Sequence, residues 1–575
     1  MSTYFDSRDP ACKSPFGAVP CGTEVSFAVF CTDEENIVSG ALHVTEEFAG
    51  REQTVPLTLS GGAWRCVYAA PRRPELAWYR FSLRRRSGET VTLAQRQLTV
   101  YEEYGAAPDW FGRGVSYQIF PDRFCRSRVP DPAGLVGDRT VHENWQDTPE
   151  FRPDERGEIR NRDFFGGDLA GIISKLDYLK SLGVTTLYLN PIFEAASNHR
   201  YNTADYMAID PMLGTAEDFR ALCREAHARS MRVLLDGVFN HTGDDSLYFN
   251  RYGRYDSVGA YQSPDSPYAG WFTFERFPDK YKCWWGVDTL PEVNKDNEDY
   301  CRFILAEDGV ARRWMRAGTA GWRLDVADEL PMRFLRDLRT AVRTQDAQAA
   351  LLGEVWEDAS NKVSYGAQRC YCLGDTLDSV MNYPLREAAI GFVTGTLDAY
   401  AFCRRVESLR ENYPLPFFYS LMNLMGSHDR ARLLNVLAGE AWEGVDPLER
   451  GGCRLSDAQR ALAIRRLAEM WKLYAALPGM PSVYYGDEAG MEGAADPFCR
   501  FPYPWGREDA QVMTITREAL ALRASRPILR RGALQLHPID RDTVRIRRFA
   551  YAGCDVFGEP LDDAEFEINV HAIHA

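Results

Sequence analysis

Four short stretches of the 575-residue sequence carry ionisable side chains among apolar ones: DGVFNH (236–241), GWRLDVADE (321–329), GEVW (353–356) and GSHDR (426–430). In the second, Trp322, Leu324 and Val326 alternate with Gly321, Arg323 and Asp325, the period-two pattern of a strand with two distinct faces. Arg323 and Asp325 therefore share a face. An arginine in a core needs carboxylate partners, and Asp236 on the neighbouring strand is the nearest candidate. A permanent cation beside Asp325 is expected to depress its pKa and keep it ionised at neutral pH, as a carboxylate nucleophile requires. Glu354 has Trp356 two residues on and no adjacent arginine in the chain, so it is expected to lie in apolar surroundings and hold a proton to donate. Two carboxyls in opposed environments are the pattern of acid-assisted glycosidic bond cleavage. The competing chemistry, a metal site on His199, His241 and His428, lacks a compact ligand motif.

Elements able to place these residues at one rim can be read from about residue 112 onward. Short apolar segments at 115–120, 185–190, 232–239, 321–326, 350–355, 377–383, 417–424 and 482–486 read as strands. Amphipathic stretches such as DLAGIISKLDYLKSLG, AEDFRALCREAHARS and AQRALAIRRLAEMWKLYAAL fall between them. Eight strands alternating with helices predict an α/β fold, a closed (β/α)8 TIM barrel over 106–521, with active-site groups at the C-terminal strand ends. The third-to-fourth connection, 242–300, is too long for a plain loop and predicts an inserted subdomain walling a cleft. Residues 1–105 carry short alternating segments and predict an N-terminal β-sandwich. The stretch 102–111 reads as a linker, and 522–575 as a short C-terminal β domain.

Composition narrows the partners. A formal net charge of −15 with interspersed signs argues against nucleic acid, which needs a basic surface. No run of about twenty apolar residues suits a membrane span, and MSTYFDSRDPACKSPFG lacks the features of a secretory leader. The 14 cysteines are scattered, and CYC at 370–372 is neither a zinc nor a redox motif. Buried thiols in a reducing cytoplasm are the expectation. Aromatic residues make up 12% of the chain, a supply that suits sugar rings as well as cores.

The four stretches, in this order, resemble the conserved regions of the α-amylase family of glycoside hydrolases. YQIFPDRF (117–124), FFGGDL (164–169), NHRYNTADY (198–206), LPEVN (290–294) and GMPSVYYGDEAGM (479–491) extend the resemblance. LPEVN, DVADE and the N-terminal β domain are similar to the neopullulanase, cyclomaltodextrinase and amylopullulanase subgroup. The resemblance implies Asp325 as nucleophile, Glu354 as general acid/base and Asp429 as a third carboxylate clamping sugar hydroxyls. It implies that Arg323, His241 and His428 bind the sugar being cleaved, that Tyr201 stacks on it and that Asp236 holds Arg323. Trp284, Trp285, Trp356 and Glu329 would contribute further substrate contacts. The substrate would be an α-glucan oligosaccharide, cleaved with retention. A glucanotransferase sharing the same intermediate and a non-catalytic glucan-binding protein are the alternatives.

Three departures stand out. Asp328 occupies a position where the subgroup usually has Asn, which bears on acceptor preference. Related enzymes often bind calcium in a loop after the first strand, but here that loop is CRSRVPDP (125–132), basic where ligands would be expected, so no metal or cofactor is expected despite Asp168. The C-terminal β domain looks abbreviated. Related enzymes often dimerise, and a homodimer is one assembly the resemblance allows.

Overall fold

In the computed structural model, the described residues are 3–31, 36–103, 107–153, 157 and 159–575. Residues 104–106 of the stretch read as a linker, and residues 1–2 of the N-terminal stretch, lie outside them. The chain divides into two compact units. One comprises 1–107, 356–379 and 404–420; the other comprises 108–355, 380–403 and 421–575.

The first unit is built on a ten-stranded, mostly antiparallel sheet. The strand Arg51–Ser60 pairs through Arg51–Leu57 with Ile37–Glu46, then through Thr58–Ser60 with Ala63–Ala69, so it passes from one layer to the other. Alternation turns Val25, Phe27 and Val29 of Glu24–Cys31 toward Tyr79, Phe81 and Leu83 of Glu75–Arg85. Phe27 and Tyr79 meet with ring centroids 4.9 Å apart. Two later segments are tied to this sheet. Gln97 Nε2 donates to Ser360 Oγ (2.9 Å), Thr99 Oγ1 to Asn412 O (2.7 Å) and Arg8 Nε to Glu411 Oε2 (2.8 Å).

An eight-stranded parallel sheet, all but Ser379 within the second unit, has strands that follow chain order: Ser116–Ile119, Thr186–Leu189, Arg232–Gly237, Gly321–Leu324, Ala350–Gly353, Ser379–Val380, Met422–Leu424 and Met480–Tyr484. The first pairs with the eighth, and a parallel bridge between Met381 and Met422 closes the ring into a barrel. Helices lie between the strands, and the sequence caps them well: Thr215 with Asp218, and Ser456 with Gln459, each form a reciprocal capping box. The seventh strand corrects the sequence reading. Residues 417–420, expected as its first half, belong to the helix Leu415–Ser420, and the extended segment is Met422–Leu424. A short apolar run does not distinguish the two by pattern alone.

The barrel interior sorts by height. Tyr188, Leu234, Ala350, Leu352, Met422, Leu424 and Met480 belong to one apolar cluster, and the polar groups described below sit one alternation further along the strands. Gly321 opens the fourth strand with φ +151, and a Cβ there would come within 2.0 Å of Ala350 O, so the close approach of these two strands requires glycine. Segment 242–300 carries the short turn Ala269–Trp271 and the ribbon Phe274–Arg276/Lys280–Tyr281. The chain ends in an antiparallel three-stranded sheet, Ala533–Pro538, Thr543–Phe549 and Glu565–His571. Among the described residues no helix is long and apolar enough to cross a membrane, and all fourteen cysteines are free thiols.

Candidate active site

Register brings the polar groups together. Asp236 is directly opposite Arg323 on the adjacent parallel strand, and Leu324 is opposite Gly353, which precedes Glu354. Arg323, 1% exposed, bonds three carboxylates at once. Its Nη1 donates to Asp236 Oδ1 (2.7 Å) and Oδ2 (2.9 Å) and to Asp325 Oδ1 (3.0 Å), and its Nη2 lies 2.9 Å from Glu354 Oε2. Tyr188 and Tyr201 hydroxyls donate to Asp236 Oδ2 at 2.7 and 2.8 Å. Val326, immediately after Asp325, adopts left-handed backbone angles (φ 39, ψ 58), a strained conformation for a β-branched residue. In that conformation its amide donates to Glu354 Oε2 at 2.9 Å.

Two expectations are corrected here. Glu354 does have an arginine partner, the guanidinium of Arg323, supplied from the neighbouring strand. Asp325 is not held low: its burial pushes the carboxyl well above the usual aspartate range despite Arg323, and the nearby Glu354 and Asp236 push in the same direction. Burial likewise raises Asp236 against the pull of Arg323. One guanidinium does not offset the burial of Asp236 and Asp325, so these two carboxyls favour keeping a proton.

The seventh strand leads to His428 and Asp429. Gln118 Nε2 donates to His428 Nδ1 (2.9 Å), which places the ring proton on Nε2, 3.3 Å from Asp429 Oδ1. Burial and the Arg500 charge hold His428 well below the usual histidine range, so it is neutral at neutral pH. Its ring stacks on Tyr201 at 5.1 Å with the planes 5° apart. Asp429 is the most open of the three candidate catalytic carboxylates, with 29% of its side chain exposed against 9% for Asp325 and 6% for Glu354. His241, driven down to about 3 by burial and then by Lys295, has a buried Nε2 with no hydrogen-bond partner among the described residues. An orphaned buried nitrogen at such a rim is suited to a substrate hydroxyl.

The aromatic residues divide. Trp284 stacks on His241 at 5.6 Å and Trp285 on Trp284 at 5.3 Å. Trp285 is 78% exposed, and its indole N–H donates to Glu329 Oε1 at 3.2 Å. Trp356 is 39% exposed and opens the segment 356–379, which clusters with the first unit rather than with the barrel. His199 lies beside Tyr201, whose amide donates to its Nδ1 at 3.1 Å. Among the described residues, no group of His, Cys, Asp and Glu forms a metal-binding cluster.

The loop after the first strand is bonded in a way that leaves no place for a hard cation. Asp168 caps the following helix, accepting from Gly171 N (2.6 Å) and Ser127 Oγ (2.6 Å). Arg126 donates to the carbonyl oxygens of His142 (3.0 Å) and Glu143 (2.6 Å). The oxygens a calcium ion would take are already bonded to N–H and O–H donors, and a guanidinium stands among them, so the residues do not fit the ion.

Several contributors escaped the sequence reading. Arg500 donates from Nε to His428 O (2.9 Å), with Nη2 3.5 Å from Asp429 Oδ1 and Nη1 2.7 Å from Asp496. Lys295 bridges Asn240 Oδ1 and Glu292 Oε1, both at 2.7 Å, and so ties the LPEVN stretch to the end of the third strand. Both lie in loops with no spacing signal. Tyr188 and Gln118 did carry one: they sit opposite each other on the first two strands, in the alternation that also carries the apolar interior.

Residues 118–521 match the family described as alpha amylase, catalytic domain. Over 97% of its length the chain is 35% identical to an amylopullulanase of Thermoanaerobacterium saccharolyticum, of which it spans 47%. It spans less than half the length of the three amylopullulanases it matches at this level. It is 35% identical to neopullulanase 2 of Thermoactinomyces vulgaris over 79% of this chain and 71% of that one. In structure it is similar to a cyclic α-maltosyl-(1→6)-maltose hydrolase from Arthrobacter globiformis, with a TM-score of 0.65, 35% identity, and coverage of 78% of this chain and 90% of that one.

Proposed function

The chain belongs to the alpha-amylase family, and from that premise we propose that it is a retaining hydrolase of α-glucosidic bonds in maltooligosaccharides, cyclodextrins or pullulan. The observation that carries this reading is the single guanidinium of Arg323 bonded to Asp236, Asp325 and Glu354 at the barrel rim. In the first step Asp325 attacks the anomeric carbon as Glu354 gives its proton to the glycosidic oxygen. The C–O bond to the leaving chain breaks, that chain departs with a new hydroxyl, and a glucosyl ester forms on Asp325. In the second step Glu354, now a carboxylate, takes a proton from water, whose oxygen displaces Asp325 and restores the starting configuration. Asp429, His428 and His241 hold hydroxyls of the reacting sugar, with Tyr201 beside it. Trp285 and Glu329 provide the acceptor-side contact.

Product analysis on pullulan, with maltohexaose in parallel, tests the proposal. Panose from pullulan establishes α-1,4 cleavage, and maltotriose establishes α-1,6 cleavage. Folded protein that releases no product from either substrate removes the hydrolase reading.

Glu354→Gln should slow maltohexaose hydrolysis by roughly 10²–10⁴-fold, the usual contribution of a general acid. An aryl maltoside with an activated phenol should be affected far less in the first step, because its leaving group needs no proton. Equal losses on both substrates would exclude Glu354 as the acid.

The pH profile follows from Asp325. A nucleophile must be ionised, and this carboxyl is raised in the folded protein. The acid limb of kcat/KM should therefore fall above the ordinary aspartate value of about 3.9. An acid limb at or below that value would contradict the buried, carboxylate-crowded environment of Asp325.

No metal takes part in this scheme, so prolonged EDTA treatment should leave both rate and melting temperature unchanged. A loss restored by calcium would refute that part of it. The fourteen free thiols support a reducing, cytoplasmic setting.

A further inference from the structure

Away from the catalytic carboxylates, the second unit has an open groove of about 480 Å³, within the size range of small-ligand sites. None of the proposed catalytic residues lines it. Its apolar part is formed by Trp145, Phe501 and Met491, and Gln146 and Arg507 stand at its rim. Trp145 is half-buried and fixed by its edge: the indole N–H donates to Tyr503 O at 2.9 Å. The side chains of Gln146 and Arg507 are exposed, with no hydrogen-bond partner among the described residues.

The lining carries three arginines and three carboxylates, so it presents no net charge to an anion such as a phosphate. Arg460 is already engaged by Glu492 and Asp509. Arg454 stands over the Phe501 ring, 5.6 Å from its centre, so what remains on offer is the anchored Trp145 indole, edged by the planar hydrogen-bonding groups of Gln146 and Arg507. Such a surface fits a neutral, hydroxyl-rich ring, which presents C–H faces to aromatics and hydroxyl edges to amide and guanidinium groups. The groove also shares a loop with the active site. Phe501 directly follows Arg500, whose guanidinium bonds His428 O and approaches Asp429.

We propose that this groove is a second α-glucan-binding site, holding a short run of glucosyl units outside the catalytic cleft. The proposal rests on the hydrolase reading for the identity of the sugar. A chain held there would keep the polymer close to the cleft after each cut, raising its effective concentration.

Calorimetric titration of the full chain carrying Asp325→Asn with maltohexaose tests it. Two classes of site are expected. Adding Trp145→Ala should weaken one class by roughly tenfold or more, as expected on losing an aromatic platform, while the other class keeps its affinity. Arg507→Ala, at an exposed position where folding is not at stake, should weaken the same class. A single class of site, unchanged by either substitution, would overturn the inference while leaving the catalytic reading intact. Absence of all binding, together with a wild-type chain that cleaves neither maltohexaose nor pullulan, would remove both.

Discussion

Asp325→Asn is expected to lower kcat on maltohexaose by about 10⁵-fold, the scale on which loss of a covalent nucleophile is felt. The amide fills the same space and can still accept from Arg323 Nη1, now 3.0 Å from Oδ1, so KM should change little. Stability should move the other way. The folded state disfavours the Asp325 charge, so the folded carboxyl gains less from ionising than the unfolded one, and its contribution to stability declines as pH rises through the folded pKa. A neutral amide escapes that loss, and the melting temperature of Asp325→Asn at pH 7 should equal or exceed that of the parent. An enzyme melting several degrees lower would mean that the charge holds the barrel together. Activity above 1% of the parent, roughly two orders of magnitude on the same scale, would remove the nucleophile assignment.

Arg323→Ala is expected to be the most damaging single substitution for stability. Removing one partner of a buried ion pair typically costs about 3–5 kcal/mol, because the other charge is left unpaired. Here three carboxylates lose their shared cation, and Asp236 keeps the hydroxyls of Tyr188 and Tyr201. Without the cation the raised Asp236 and Asp325 carboxyls are pushed further up, so the deficit has a pH signature. It should be smallest below the ordinary unfolded aspartate value of about 3.9, where these carboxyls are protonated in both states, and should grow as pH climbs through the raised folded values of Asp236 and Asp325. Thermal unfolding of parent and variant at pH 4.5 and 7.5 measures this directly. A deficit that does not change with pH would mean that Arg323 acts by packing. Arg323→Lys should recover only part of the loss, since a point charge cannot reach three carboxylates from two nitrogens.

The ring of strands and most of its charged rim were legible because both depend on local pattern. Period-two alternation identified Gly321, Arg323 and Asp325 as one face, and the C-terminal ends of parallel strands drew attention to Asp236, Glu354 and Asp429. What the sequence could not convey was sharing. It matched Arg323 to Asp236 and Asp325, whereas the fork of a guanidinium also reaches Glu354 across a strand pair. Desolvation is hidden for the same reason: the cation beside Asp325 is visible in the sequence, but the depth at which both lie is not. Arg500 and Lys295 come from loops, where no periodicity constrains direction. Residues 417–420 show the limit of apolar runs, since the same residue types fill a buried helix or a buried strand.

The first unit has a consequence for how the protein is made. Its sheet occupies residues 3–101, yet Gln97, Thr99 and Arg8 bond to Ser360, Asn412 and Glu411. A ribosome adding about 5–20 residues per second needs roughly 15–60 s to travel from residue 107 to residue 420. During that interval the nascent sheet can fold over its own aromatic core but lacks the segments that complete the unit. This earlier-made part thus waits on a much later one, and any rare-codon pause or truncation between those points would prolong the life of a half-clothed β-sheet.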